Sequence, residues 1–150
     1  MTTTKTDDLS IVRTEHPNAT RLREGFAAFA RGDLDHVRST MAADCTWTIP
    51  GNTELAGVYR GWDEISQMFG KLFEATGGTF SMDVVSCLAD DAHAVAIYDA
   101  TSTVAGQTRT MRFALIEELD AQGLTVHTTS LAYDQAAADA HMNGGIPGQR

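Results

Sequence analysis

The sequence predicts an α+β domain, a cone-shaped α+β barrel in which three N-terminal helices pack on a curved antiparallel sheet. Three observations carry that prediction. Apolar residues recur at helical spacing through the first half of the chain; from Thr79 the pattern changes to four stretches of about ten residues separated by hairpin-length turns; and no repeat or linker divides the 150 residues, the size of one ordinary domain. Helices followed by a meander, rather than alternating with strands, fall on one face of the sheet.

Residues 1–15 carry no periodicity and read as a flexible arm before a single domain over 16–142. Pro17 suits the first helical position, where its missing N–H costs nothing, and Leu22, Phe26 and Phe29 give a helix from about Pro17 to Arg31 its inward side. Gly32 ends it. Asp33 caps a second helix with Leu34, Val37 and Met41 as its stripe. Cys45 to Ile49 reads as a short strand stopped by Pro50-Gly51, and Asn52 to Arg60 as a loop with a short strand near Val58-Tyr59. The third helix begins at Gly61, carries Trp62, Ile65, Phe69, Leu72 and Phe73 on one side, and closes at Gly77-Gly78. Strands then cover Thr79 to Ala89, His93 to Val104, Thr108 to Leu119 and Leu124 to Tyr133, antiparallel neighbours because the connections are short. Asp134 to Met142 is Ala-rich and forms a terminal helix. Asn143 to Arg150, with three glycines and a proline, reads as a flexible tail.

Composition narrows the partners. A net charge of -9 argues against nucleic acid and anionic membranes, and no apolar run is long enough to span a bilayer. The polar, Thr-rich start lacks the apolar core of a secretory signal, and Cys45 and Cys87 stand apart as lone thiols, so a cytoplasmic setting is expected. His16, His36, His93, His127 and His141 show no ligand spacing, and no dinucleotide, phosphate-loop or serine-nucleophile motif occurs; neither metal nor cofactor is expected.

A curved sheet covered by helices leaves a conical pocket for one small molecule, apolar with a few placed polar groups. On Thr108 to Leu119 the row Met111, Phe113, Leu115 and Leu119 is apolar, and Glu117 is its one charge. Two readings of Glu117 stand side by side: a carboxyl against apolar walls with its pKa raised toward neutrality, fit for general acid–base work, or a strand-end residue that reaches water. Tyr98 is either a hydroxyl donor to a ligand oxygen or an aromatic core residue. Trp47, in one row with Cys45 and Ile49, either stacks on a flat ligand or fills the cone.

Gly32-Asp33-Leu34-Asp35, an Ala42-Ala43-Asp44 helix end, Trp47-x-x-Pro50-Gly51, the Leu55-Ala56-Gly57-x-Tyr59-Arg60-Gly61 loop and the Asp120-to-Gly123 turn together resemble the nuclear transport factor two-like superfamily, nearest its SnoaL-like polyketide cyclases and ketosteroid isomerases. The resemblance runs from about Pro17 to Met142 and implies the cystatin-like, SnoaL-like cone. It places Tyr98, Ala100 and Ser102 inward and Asp99 outward, and makes Thr128 and Ser130 polar pocket contacts. Trp47, Ile49, Phe29, Tyr59, Met111, Phe113 and Leu115 complete the expected binding residues. The catalytic positions of ketosteroid isomerases, a worked case of carboxyl pKa tuning, fall on Ile49, Gly25 and Leu115, so that mechanism is rejected. The acid of SnoaL-like cyclases lies on the strand of Leu115 and is likewise in question. The Arg and acid of epoxide hydrolases of this fold would need Arg112 and Asp99 to face inward, which the strand phase opposes.

Two functions follow. One is an isomerase, cyclase or dehydratase acting on a small apolar, oxygen-bearing metabolite, with Glu117 transferring the proton and Tyr98 polarising the oxygen. The other is a non-catalytic small-molecule-binding or dimeric interaction domain. Val95, Ile97, Ile116 and Leu131 make the outer sheet face apolar, and a homodimer through that face is expected, as is common among relatives.

Overall fold

The computed structural model describes residues 15–144. Apart from Glu15, Asn143 and Gly144, the expected arm and tail therefore lie outside the described residues. The chain runs α1 (Pro17–Ala30), α2 (Leu34–Ser39), β1 (Met41–Ile49), β2 (Gly57–Arg60), α3 (Gly61–Ala75), β3 (Ser81–Ala89), β4 (His93–Val104), β5 (Gln107–Leu119), β6 (Thr125–Ala132) and α4 (Gln135–Met142). The fold is the expected α+β arrangement of helices on a curved sheet.

Local chemistry sets the element ends. Pro17 sits in the first turn of α1, and the Asp33 carboxylate accepts from His36 N at 3.1 Å to cap α2. Asp134 caps α4 in the same way through Ala137 N at 3.0 Å. Asp120 holds the β5–β6 turn by accepting from the backbone of Gln122 and Leu124.

The six strands lie in the order β2-β1-β6-β5-β4-β3. Strands β3 to β6 form the anticipated antiparallel meander. Two features go beyond the pattern. The sheet is unclosed, with β2 and β3 as its edges, and β1 pairs with β6 in parallel, Trp47 opposite Thr128. β1 also starts at Met41, four residues before Cys45. Met41 and Ala42-Ala43-Asp44 are therefore strand residues and not the end of a helix, because Met41 is drawn into pairing with Thr125.

Alternation along β4 is complete: Ala94, Ala96, Tyr98, Ala100 and Ser102 are buried, and the residues between them are not. Ala94, Ala96, Tyr98 and Ala100 of that row, with Ala19, Leu22, Cys87 and Leu115, make one apolar cluster under α1. A second gathers Ala28, Val37, Cys45, Leu55, Ile65, Met68 and Phe69 between α1, α3 and β1. Trp47 touches both. Phe73, expected on the inward stripe of α3, is 67% exposed and lies over Gly78, whose missing Cβ leaves the ring its place. Among the described residues no helix is long and apolar enough to cross a membrane.

Candidate functional site

Between the helices and the inner face of the sheet lies a chamber of two adjoining lobes, each about 120 Å³. They share the walls Ile49, Met68, Leu72, Phe80, Tyr98 and Ser130. The first lobe runs under α1 past Phe26, Phe29 and Trp47 to Leu115 and Glu117. The second runs past Met111 and Phe113 to Ser102 and the inner side of α4.

Glu117 lines the first lobe. It faces Ala94 across β4 and Thr128 across β6, neither of which carries a charge. Loss of hydration pushes its carboxyl up to about 7, while the Thr125 hydroxyl and the Arg21 guanidinium pull the other way. Glu117 keeps some accessible surface because the space beside it admits water, yet the surrounding protein withholds the solvation a carboxylate needs. Behind it a smaller pocket of about 20 Å³ is lined by Asn18, Arg21, Thr40 and Thr125, room for about one water molecule. Arg21 is held there by donating from Nη1 to the Gly123 carbonyl at 2.6 Å, where φ of +82° favours glycine.

Tyr98 and Ser130 form the polar centre. Trp47 Nε1 donates to Ser130 Oγ at 3.0 Å, and Ser130 is also the polar neighbour of the Tyr98 hydroxyl. Burial pushes the Tyr98 phenol well above its usual range, so it is a neutral donor at any physiological pH. Its ring stacks on Phe113 at 5.6 Å and meets the edge of Phe26 at 5.1 Å. Trp47 in turn meets Phe69 edge to face at 5.3 Å. Aromatic contacts thus orient the Tyr98 and Trp47 rings near the lobes' junction.

The structure gathers Glu117, Tyr98, Trp47, Ile49, Phe29 and Leu115 around the first lobe, and Met111, Phe113 and Ser102 around the second, with Ser130 at both. Two expected residues stand apart. Tyr59 lies outside both lobes because its hydroxyl turns away to donate to the Leu55 carbonyl at 2.7 Å. Thr128 is fully buried within the sheet between Glu117 and Trp47 and lines neither lobe; its hydroxyl has no partner among the described residues. Gly25, Ile49 and Leu115, the positions where the ketosteroid isomerase resemblance puts catalytic groups, all line the first lobe. Asp99 and Arg112 pair with each other on the opposite face of the sheet, Nε to Oδ1 at 2.9 Å. His127 also faces outward, bonded to Thr46 and Thr129.

Sequence reasoning missed Met68, Phe80 and Met82 as walls, and His141, Gln135 and Asp139 on α4. The signal for α4 was present: His141 and Ala138 share one face of a short helix that follows the last strand directly. Cys45 and Cys87 are both buried and separate, with Cys45 pushed up to about 12 by loss of hydration, so neither is a reactive thiolate. Among the described residues no cluster of His, Cys, Asp and Glu is arranged to hold a metal.

Known proteins place this geometry. The sequence profile of the SnoaL-like domain matches residues 22–128. An uncharacterized protein of Mycobacterium tuberculosis is 32% identical over 120 residues, spanning 79% of this chain and 91% of its own length. Bal32a, from a soil-derived mobile gene cassette, has a TM-score of 0.78 at 28% identity, over 83% of this chain and 95% of its own. A putative SnoaL-like polyketide cyclase from Jannaschia sp. CCS1 shares the fold, with a TM-score of 0.70 at 15% identity, over 90% and 99%.

Proposed function

Because the chain belongs to the SnoaL-like domain family, we propose that its chamber takes a small, mainly apolar, oxygen-bearing metabolite and isomerises, cyclises or dehydrates it by proton transfer through Glu117. The carboxylate removes a proton from a carbon that is conjugated, through the ligand's unsaturated ring system, with a carbonyl farther along the molecule. The electron pair moves onto the carbonyl oxygen, where the neutral Tyr98 hydroxyl donates a hydrogen bond, and the protonated Glu117 then delivers its proton to a second atom of the same molecule. Glu117 and Tyr98 stand on β5 and β4 with roughly 13 Å of strand between their register positions, and both side chains lean inward, so a ligand of a few rings meets both.

One observation carries this reading: Glu117 is the one charged side chain in the mainly apolar lining of the first lobe. Its pKa of about 7 leaves both protonation states populated at working pH, as a group that takes and returns a proton requires. The test begins with a thermal-shift screen of apolar ketones and phenols for binders, followed by product analysis. Glu117→Gln, which keeps shape and loses the titration, is expected to retain binding and lose at least about 100-fold in turnover. Unchanged turnover removes Glu117 from the mechanism.

A second reading, binding without chemistry, has its own support in the hydrocarbon and glycine at Ile49, Leu115 and Gly25. Ligand-dependent quenching of Trp47 with no product from the wild-type chain would establish it. The reading also includes a homodimer across the outer sheet face, supported by Val95, Ile97, Ile116 and the 39% exposed Leu131 there; a light-scattering mass of one chain at micromolar concentration would refute it. Two separate free thiols suit a reducing compartment such as the cytoplasm.

A further inference from the structure

The second lobe ends on a polar pair: Ser102, already expected among the binding residues, and His141, to which no role has yet been given. Ser102, on the inner row of β4, and His141, on the last turn of α4, are both more than nine-tenths buried, and both line the lobe. His141 Nε2 lies 3.0 Å from Ser102 Oγ and 3.2 Å from the Ser102 carbonyl oxygen.

A serine next to a histidine suggests a nucleophile and its base, and the geometry argues against that. A backbone carbonyl only accepts, so an Nε2 that faces one must carry the proton. The ring is then the Nε2–H tautomer, shared between the Ser102 carbonyl and the Ser102 hydroxyl oxygen. Its Nδ1 is a bare, buried acceptor with no partner among the described residues. The opposite tautomer would bury an unpaired N–H at Nδ1 and set two acceptors face to face. Loss of hydration also lowers the His141 pKa, which keeps the ring neutral.

With His141 donating, Ser102 Oγ accepts, and its own O–H proton has no acceptor among the described residues. It shares the wall with Ala100, Met111, Phe113, Ala132, Ala138 and Met142, while Gln135 and Asp139 of α4 add the other polar groups of this end of the lobe. We propose that Ser102 is a ligand-binding residue, a hydroxyl donor held in place by His141, which recognises an oxygen at the far end of an elongated, mainly apolar ligand. His141 acts through Ser102 as a positioning residue. Eight residues of β4 separate Ala94, opposite Glu117, from Ser102, roughly 26 Å along the strand before curvature shortens it. The ligand class is accordingly a multi-ring or long-chain molecule with one oxygen near Glu117 and another, a phenol, ether or carbonyl, at the α4 end. This deepens the reading of the chamber as a ligand site and rests on it.

The experiment uses 4-hydroxybiphenyl and 4-methylbiphenyl, which match in shape and differ in the oxygen. Their affinities are measured by calorimetry for the intact chain, Ser102→Ala, His141→Phe and Glu117→Gln. Wild type is expected to favour the hydroxy compound by a ratio about 10-fold higher than Ser102→Ala does, the usual worth of one hydrogen bond in an apolar site. His141→Phe should lose most of that preference while still binding the methyl compound, and Glu117→Gln should keep it. An unchanged ratio in Ser102→Ala, or no binding of either compound by wild type, overturns the proposal. Because Glu117→Gln keeps the ratio here yet loses turnover, failure of this proposal and failure of the proton-transfer mechanism are read separately.

Discussion

Asp99 and Glu117 are carboxylates on adjacent strands of one sheet, and they live in opposite chemistry. Asp99 points outward and receives two parallel hydrogen bonds from the Arg112 guanidinium, at 2.9 and 3.0 Å, which hold its pKa below the usual carboxylate range. Glu117 points inward, meets no guanidinium at bonding distance among the described residues, and is pushed up to about 7. The two differ by strand phase alone: an outward position obtains water and a cation, an inward one obtains hydrocarbon. Asp99 behaves as part of the solvated surface, where an ion pair contributes little to stability. Glu117 destabilises the fold when charged, and that cost is what supports the proposal that it transfers a proton.

The sharpest way to break the comparison is pH. The folded pKa of Glu117 lies above its unfolded value of 4.5, so its contribution is fully present below about pH 4.5 and is lost as pH rises through about 7. The loss is on the order of 3 kcal/mol at pH 8, so Glu117→Gln should melt several degrees above wild type there and close to it at pH 4.5. A denaturation series that gives the same difference at both pH values would show that Glu117 is not desolvated. Smaller, and from the same end of the chamber, is Gly25→Ala. Nothing lies within 4 Å of the added Cβ, and an alanine inside a helix is worth about 0.5–1 kcal/mol over glycine. Melting temperature should rise by a few degrees while affinity for any chamber ligand falls, since the methyl group takes space beside Glu117. Equal affinity would mean that the gap at Gly25 is not used. The smallest effect belongs to Asp99→Asn, which should leave the melting temperature and turnover near wild type and merely flatten the dependence of stability on salt.

Much of this was legible in the residues themselves. Period-two alternation gave the inner row of β5, and with it Glu117, Phe113 and Leu115, because a strand buried on one face repeats that face every second residue; on β4, where Val95 and Ile97 share the row of Asp99, the family resemblance and not the period put Tyr98 inward. The α2 cap and the β5–β6 turn followed from Asp33 and from the Asp120-to-Gly123 segment, whose side chains act within a few residues. Contacts distant in sequence were not legible. Met41 fits a helical stripe and a strand equally well, and only pairing with Thr125 selects the strand. Tyr59 has the composition of a pocket residue, but its hydroxyl bonds to Leu55 in its own loop. Ser102 and His141 are 39 residues apart, and no local pattern joins them.

The parallel pairing of β1 with β6 has an effect on how the protein is made. Trp47 reaches its partner Ser130 across 83 residues of intervening chain, so the wall between them closes only after nearly the whole domain has been synthesised. Until β6 arrives, β1 and the α3 helix packed on it have no strand joining them to the β3–β5 meander on which α1 packs, and a nascent chain stalled before residue 125 would offer their facing apolar sides to chaperones and to aggregation instead. The chamber is therefore the last part of the molecule to form, and a ligand present during synthesis meets a protein that is either unfinished or already complete.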